Sequence, residues 1–139
     1  MQRLLFVLTL SITALVLTSC APEMGGGTAK LGKEFSLSIG ESVAIKGENL
    51  KVTFLKVLED SRCPKGVQCI WEGRARSLVS FVSNNMTDLE LTEPGLTDSL
   101  AQYTFQGYFI TFHLLPYPEA GKEITADQYR LTMFVNKVK

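Results

Sequence analysis

Apolar and polar residues alternate over short spans through most of this chain, and turn residues interrupt the spans at close intervals. Phe35, Leu37 and Ile39 alternate up to Gly40; Val43 and Ile45 precede Gly47-Glu48-Asn49; Leu50, Val52 and Phe54 lead into Leu55, Val57 and Leu58. A two-residue period puts every second side chain on one face, the signature of a strand buried on one side. Three such spans in quick succession predict antiparallel hairpins. Arg74 to Ser83 carries Leu78, Val79, Phe81 and Val82, Asn84-Asn85 supplies a turn, and Leu89 and Leu91 alternate until Glu93-Pro94-Gly95. Tyr108 to Leu115 predicts a strong strand ended by Pro116-Tyr117-Pro118, and Gln128 to Val138 places Tyr129, Leu131, Met133 and Val135 on one face. Ser99 to Gln106, with Leu100, Tyr103 and Phe105, fits helix and strand equally. Seven or eight short strands without an amphipathic helix predict an all-β fold: an antiparallel β-sandwich, with an immunoglobulin-like arrangement among its forms, or a partly open barrel.

The first thirty residues follow a different pattern. Arg3 and the amino terminus form a positive start, and Leu4 to Leu17 is uncharged and rich in Leu, Val, Ile and Phe, the n-region and h-region of a signal peptide. As a helix those residues would span about 21 Å against a hydrocarbon core of about 30 Å, so a permanent membrane span is the poorer reading. Leu17-Thr18-Ser19-Cys20 resembles the lipobox of bacterial lipoproteins. The resemblance implies cleavage before Cys20, a diacylglycerol (palmitate-type acyl chains) on its sulfur, and membrane attachment through two or three chains, enough for stable anchoring. In that family Ala21 after the cysteine favours the outer membrane of a diderm bacterium, with the domain facing periplasm or surface. Ala21 to Ala29, including Gly25-Gly26-Gly27, has no apolar period and is expected to act as a flexible tether. The expected organisation is a signal peptide over 1–19, a lipidated tether over 20–30 and a single β domain over 31–139.

Cleavage leaves 120 residues, enough for one modest core. The mature chain has 13 basic and 14 acidic residues, a balance that gives no field to attract nucleic acid or an anionic membrane. Attachment is therefore expected from the lipid, and no nucleic-acid partner is expected.

With Cys20 lipidated, the three cysteines resolve into one anchor and one pair, Cys63 and Cys69, in an exported chain where a disulfide is expected. The pair lies in the densest chemistry of the sequence, Asp60 to Ala75, with the only tryptophan, Trp71. This Asp-Ser-Arg-Cys-Pro stretch leading into Cys-x-Trp-x-Gly resembles a segment of small uncharacterised bacterial lipoproteins and secreted proteins, a likeness that brings no activity with it. The simplest expectation is a stapled crossover, with Trp71 packed over the bridge or a sandwich edge.

Sharper expectations compete with it. A rigid loop exposing Arg62 and Lys65 would suit an inhibitor of a trypsin-like protease. Cys63, Cys69 and His113, with Met86 or Met133, would suit a soft metal such as copper, although five residues between the cysteines match neither zinc nor redox spacing. One histidine and no nucleophile elbow, zinc-protease motif or phosphate loop argue against an enzyme. Asp88, Glu90 and Glu93 are expected to be solvent-facing. The preferred expectation is a non-catalytic binding module of the cell envelope, needing no cofactor or metal, with an envelope protein or polysaccharide as partner. Its candidate contact residues are Arg62, Lys65, Trp71 and Tyr117, with Tyr103 and Tyr108 weighed as further rings. Tyr117, between two prolines, is the ring expected at the surface.

Overall fold

The computed structural model describes residues 26–95 and 100–139. The proposed signal peptide and Cys20 lie outside them. Among the described residues nine strands form two sheets. The first contains β1 (Gly26–Ala29), β3 (Ser42–Ile45), β4 (Lys51–Asp60), β5 (Arg74–Val82) and β6 (Met86–Pro94), in the order β1-β3-β4-β5-β6. The second contains β2 (Phe35–Ser38), β7 (Ala101–Phe105), β8 (Tyr108–Leu115) and β9 (Arg130–Lys137), in the order β2-β9-β8-β7. All pairs are antiparallel except β1 with β3. The sheets do not close into a barrel, and the β-sandwich is the form adopted. One sheet is a meander of four consecutive strands, a connectivity unlike the interleaved ABED and CFG sheets of an immunoglobulin constant domain.

The alternation in the sequence builds the core. Tyr108, Ile110, Phe112 and Leu114 of β8 and Leu131, Met133 and Val135 of β9 face Val52, Phe54, Val79 and Phe81 of the other sheet, all buried. Phe81 meets Phe105 at 5.0 Å between ring centroids, joining the layers. The ambiguous Ser99 to Gln106 segment yields β7, because Gln106 (φ 45) and Gly107 (φ 84) form the two-residue turn that pairs Phe105 with Tyr108. Residues 26–29, expected to be tether, instead add β1 to the sheet through main-chain pairing with β3, which needs no apolar side chains.

Two register shifts in β4, between Phe54 and Lys56 and between Val57 and Glu59, decide what the far end of the sandwich contains. Each bulge reverses which side chains face inward. Phe54 pairs with Val79, Val57 with Ser77 and Asp60 with Ala75, so the inward row runs Phe54, Val57, Asp60 and ends on a carboxylate. On the other side of β5, Ala75 pairs with Glu93. Asp60, Ala75 and Glu93 thus form one inward-facing row, with the small Ala75 between two acids.

Candidate functional site

Arg62 fills the space over Ala75. Two residues after β4, its side chain turns back into the sandwich and is only 2 % exposed. Nε donates to Asp60 Oδ1 at 2.8 Å and Nη2 to Asp60 Oδ2 at 2.7 Å, a two-pronged contact matching the fork to the carboxylate. Nη1 donates to the Leu114 carbonyl at 2.7 Å, Nη2 reaches the Pro116 carbonyl at 3.1 Å, and Glu93 lies 3.8 Å away. Burial works against the guanidinium charge, yet the hydrogen bond and charge of Asp60, with Glu93 behind, hold its proton more tightly than usual.

Glu93 is buried on the other side of Ala75. Its Oε2 accepts the Leu114 N–H at 2.7 Å and its Oε1 meets His113 Nδ1. β7 begins at Ala101, opposite Phe112, and two residues further along β8 Leu114 has side-chain partners: Glu93 for its N–H and Arg62 for its carbonyl. Tyr129 donates to Asp60 at 3.1 Å, and burial together with that carboxylate pushes its hydroxyl pKa up to about 12. The Tyr117 ring stacks 4.9 Å from the Arg62 guanidinium, and its hydroxyl donates to the Gly95 carbonyl.

The loop over 61–73 springs from this buried base. Ser61 N–H donates to Arg74 and Cys63 N–H to Glu72, while Gly95 N–H donates to Gly73. The three backbones lie so close that a Cβ on Gly73 would sit 1.8 Å from the Ser61 carbonyl oxygen, and one on Gly95 1.8 Å from that of Glu72. Cys63 and Cys69 are joined with an S–S distance of 2.10 Å. Lys65 bridges to the segment after β8, its N–H donating to the Pro118 carbonyl and its carbonyl accepting from Ala120. Between the loop and this segment lies an open groove of about 1110 Å³ lined by Lys65, Val67, His113, Leu115 and Tyr117 among others.

At the loop tip the side chains face out: Ile70 is 92 % and Trp71 80 % exposed, with Val67 also exposed.

The structure therefore redistributes the expected site residues. Arg62 is a buried structural cation, so it offers nothing to a protease pocket or other partner. Trp71 anchors nothing within the domain and stands in solvent. Tyr117 is half-buried on Arg62, because its two flanking prolines leave the ring free to fold back over the guanidinium. Lys65 remains exposed, its ammonium 5.6 Å from the Tyr117 ring. Tyr103 and Tyr108 belong to the core and its margin. With Cys63 and Cys69 joined and His113 facing Glu93, the expected cysteine-histidine metal set does not assemble. Glu93, expected in solvent, is buried, and Asp60 and Tyr129 join a network that no motif announced; Ala75 opposite both acids was the available signal, readable only with the register known. Comparison with protein-family models, with curated proteins and with solved structures returned no match.

Proposed function

We propose that this chain is a lipoprotein anchored through Cys20 in a bacterial cell envelope, and that its β-sandwich is a non-catalytic binding module for an envelope protein or polysaccharide. Its contact surface is the groove between the disulfide loop and the segment over 115–120, with Lys65, Val67 and the exposed edge of Tyr117. The observation that carries this reading is the open groove of about 1110 Å³ between the segment over 115–120 and a loop whose base is fixed by Arg62 and a disulfide. Fixing a loop before it binds lowers the ordering cost of association.

The inhibitor reading is weaker. Lys65, the basic residue still exposed, has both main-chain groups engaged with 118–120, whereas a protease needs them open for strand pairing. The test has two parts. Metabolic palmitate labelling is expected for the natural chain and lost in Cys20→Ala. A photo-crosslinking residue placed at Val67 in the groove is expected to capture a discrete envelope component, and capture is expected to fall in Lys65→Glu. A chain that takes no acyl group refutes the anchor. Turnover by the purified protein that disappears in His113→Ala refutes the non-catalytic reading.

A further inference from the structure

The register of the first sheet fixes the end of the sandwich toward which the chain before β1 is directed. β1 runs parallel to β3, with Gly26 beside Ser42 and Ala29 beside Ile45. β3 runs antiparallel to β4, with Ser42 beside Thr53 and Ala44 beside Lys51. Going back from Ala29 to Gly26 therefore follows β4 from Lys51 toward Thr53, and onward toward Asp60 and the disulfide loop. The chain leaves β1 toward the end of the sandwich that carries Ile70 and Trp71.

The reach of the preceding segment matches that direction. From the level of Gly26, β4 continues from Thr53 to Asp60, about 20 Å at roughly 3.3 Å per residue with some loss to its bulges. Cys20 lies six residues before Gly26, a span of at most about 21 Å at full extension. An acyl anchor on Cys20 can only just clear the end of β4. A leash extended along the sheet brings the anchor level with this end, where Ile70 and Trp71 stand exposed on the loop that follows β4.

Resting on the lipid anchor proposed above, we infer that the Ile70–Trp71 tip seats in the bilayer interface beside the anchor, as a second attachment that fixes the orientation of the domain. Its chemistry suits that place: Trp combines a large apolar ring with one N–H donor, and such rings settle at the headgroup boundary. Ile70 supplies apolar area deeper in, and the disulfide holds the tip in shape before contact.

Trp71 is the only tryptophan of the chain, so its emission reports on the tip alone. The purified full chain, with its Cys20 modification established by intact mass, is reconstituted into phosphatidylethanolamine and phosphatidylglycerol vesicles with and without bromine on the acyl chains. Blue-shifted emission quenched by the brominated lipid is expected. Ile70→Asp, at a side chain already in solvent, is expected to keep the circular dichroism spectrum and lower the docked-to-free ratio about tenfold, with quenching reduced to match. Lipidated protein with unshifted emission, equal in both vesicle sets, overturns the docking and leaves the anchor standing. An unmodified Cys20 overturns both. Emission that shifts only when envelope proteins are added assigns the tip to a protein partner and overturns docking in lipid.

Discussion

Two arginines at the same end of the β4–β5–β6 sheet each lie between two carboxylates, one on each face. Arg76 points outward and bonds Glu59 and Glu90; Arg62 enters the inner face and meets Asp60 and Glu93. Each arginine faces two carboxylates, Arg74 adding a second cation at Glu59 outside, yet the Arg76 side chain is 30 % exposed and that of Arg62 is fully buried. Water screens the outer cluster and offers each member an alternative partner, so exposed pairs contribute little. Inside, every ion has lost its hydration and depends on the others, so removing one leaves the rest without compensation. The same three charges can decorate one face of a sheet and hold together the other.

The sharpest way to break this comparison is Arg62→Ala. It strands Asp60 and Glu93 and takes away a donor from the Leu114 carbonyl, and a loss of about 3–5 kcal/mol is expected in urea unfolding. That is a large part of the total stability of a domain this size. Arg62→Lys keeps the charge but not the fork that makes four hydrogen bonds, and an intermediate loss is expected. An Arg62→Ala protein as stable as the natural chain refutes the structural role given to this cation.

Next in size is Gly73→Ala. The residue has φ +70, and its Cβ would collide with the Ser61 carbonyl, so the three-backbone contact under the loop has to open. A loss of about 2 kcal/mol or more is expected, from both the positive φ and the displaced backbone. An unchanged unfolding midpoint would show that the loop base does not depend on that contact. Replacing Cys63 and Cys69 together by Ala comes third, with a loss of about 2 kcal/mol for so short a ring. Far-ultraviolet circular dichroism is expected to keep its strand signal, because the bridge ties a loop and joins no two strands.

These effects centre on residues whose placement the sequence conceals. Strands with an apolar side chain at every second position were legible, as in β8 and β9, because burial on one face imposes the period. β1 was not, since Gly26-Gly27-Thr28 joins the sheet by main chain alone. The inner cluster was hidden by the two bulges in β4: strict alternation from Val52 and Phe54 does not tell which way Asp60 faces after two reversals. Arg62 and Trp71 exchanged the places that residue type suggests, the cation going in and the indole out. A buried arginine needs carboxylates and free carbonyls already arranged around it, and those came from Glu93 and Leu114, 31 and 52 positions away. The pairing of Cys63 with Cys69 was legible because they are two cysteines with five residues between them in one loop.

The smallest effect belongs to the outer cluster and sharpens the contrast through pH. Hydrogen bonds from Ser61 and Arg76 hold the Glu59 carboxyl below its ordinary value of 4.5, and Arg76 does the same for Glu90. A carboxylate with a lowered pKa in the folded state contributes stability that is present above its unfolded pKa and lost as pH falls through the folded one. Arg76→Ala is therefore expected to change stability near neutrality by only a small fraction of the Arg62→Ala loss, and to flatten the decline between pH 4.5 and more acid conditions. High salt is expected to act on the natural chain in the same direction, because these charges are in contact with solvent. Unfolding midpoints for both alanine variants across that acid range, at low and high salt, separate the two faces. If Arg76→Ala costs as much at neutral pH as Arg62→Ala, burial does not distinguish the clusters, and the outer three residues carry as much of the fold as the inner three.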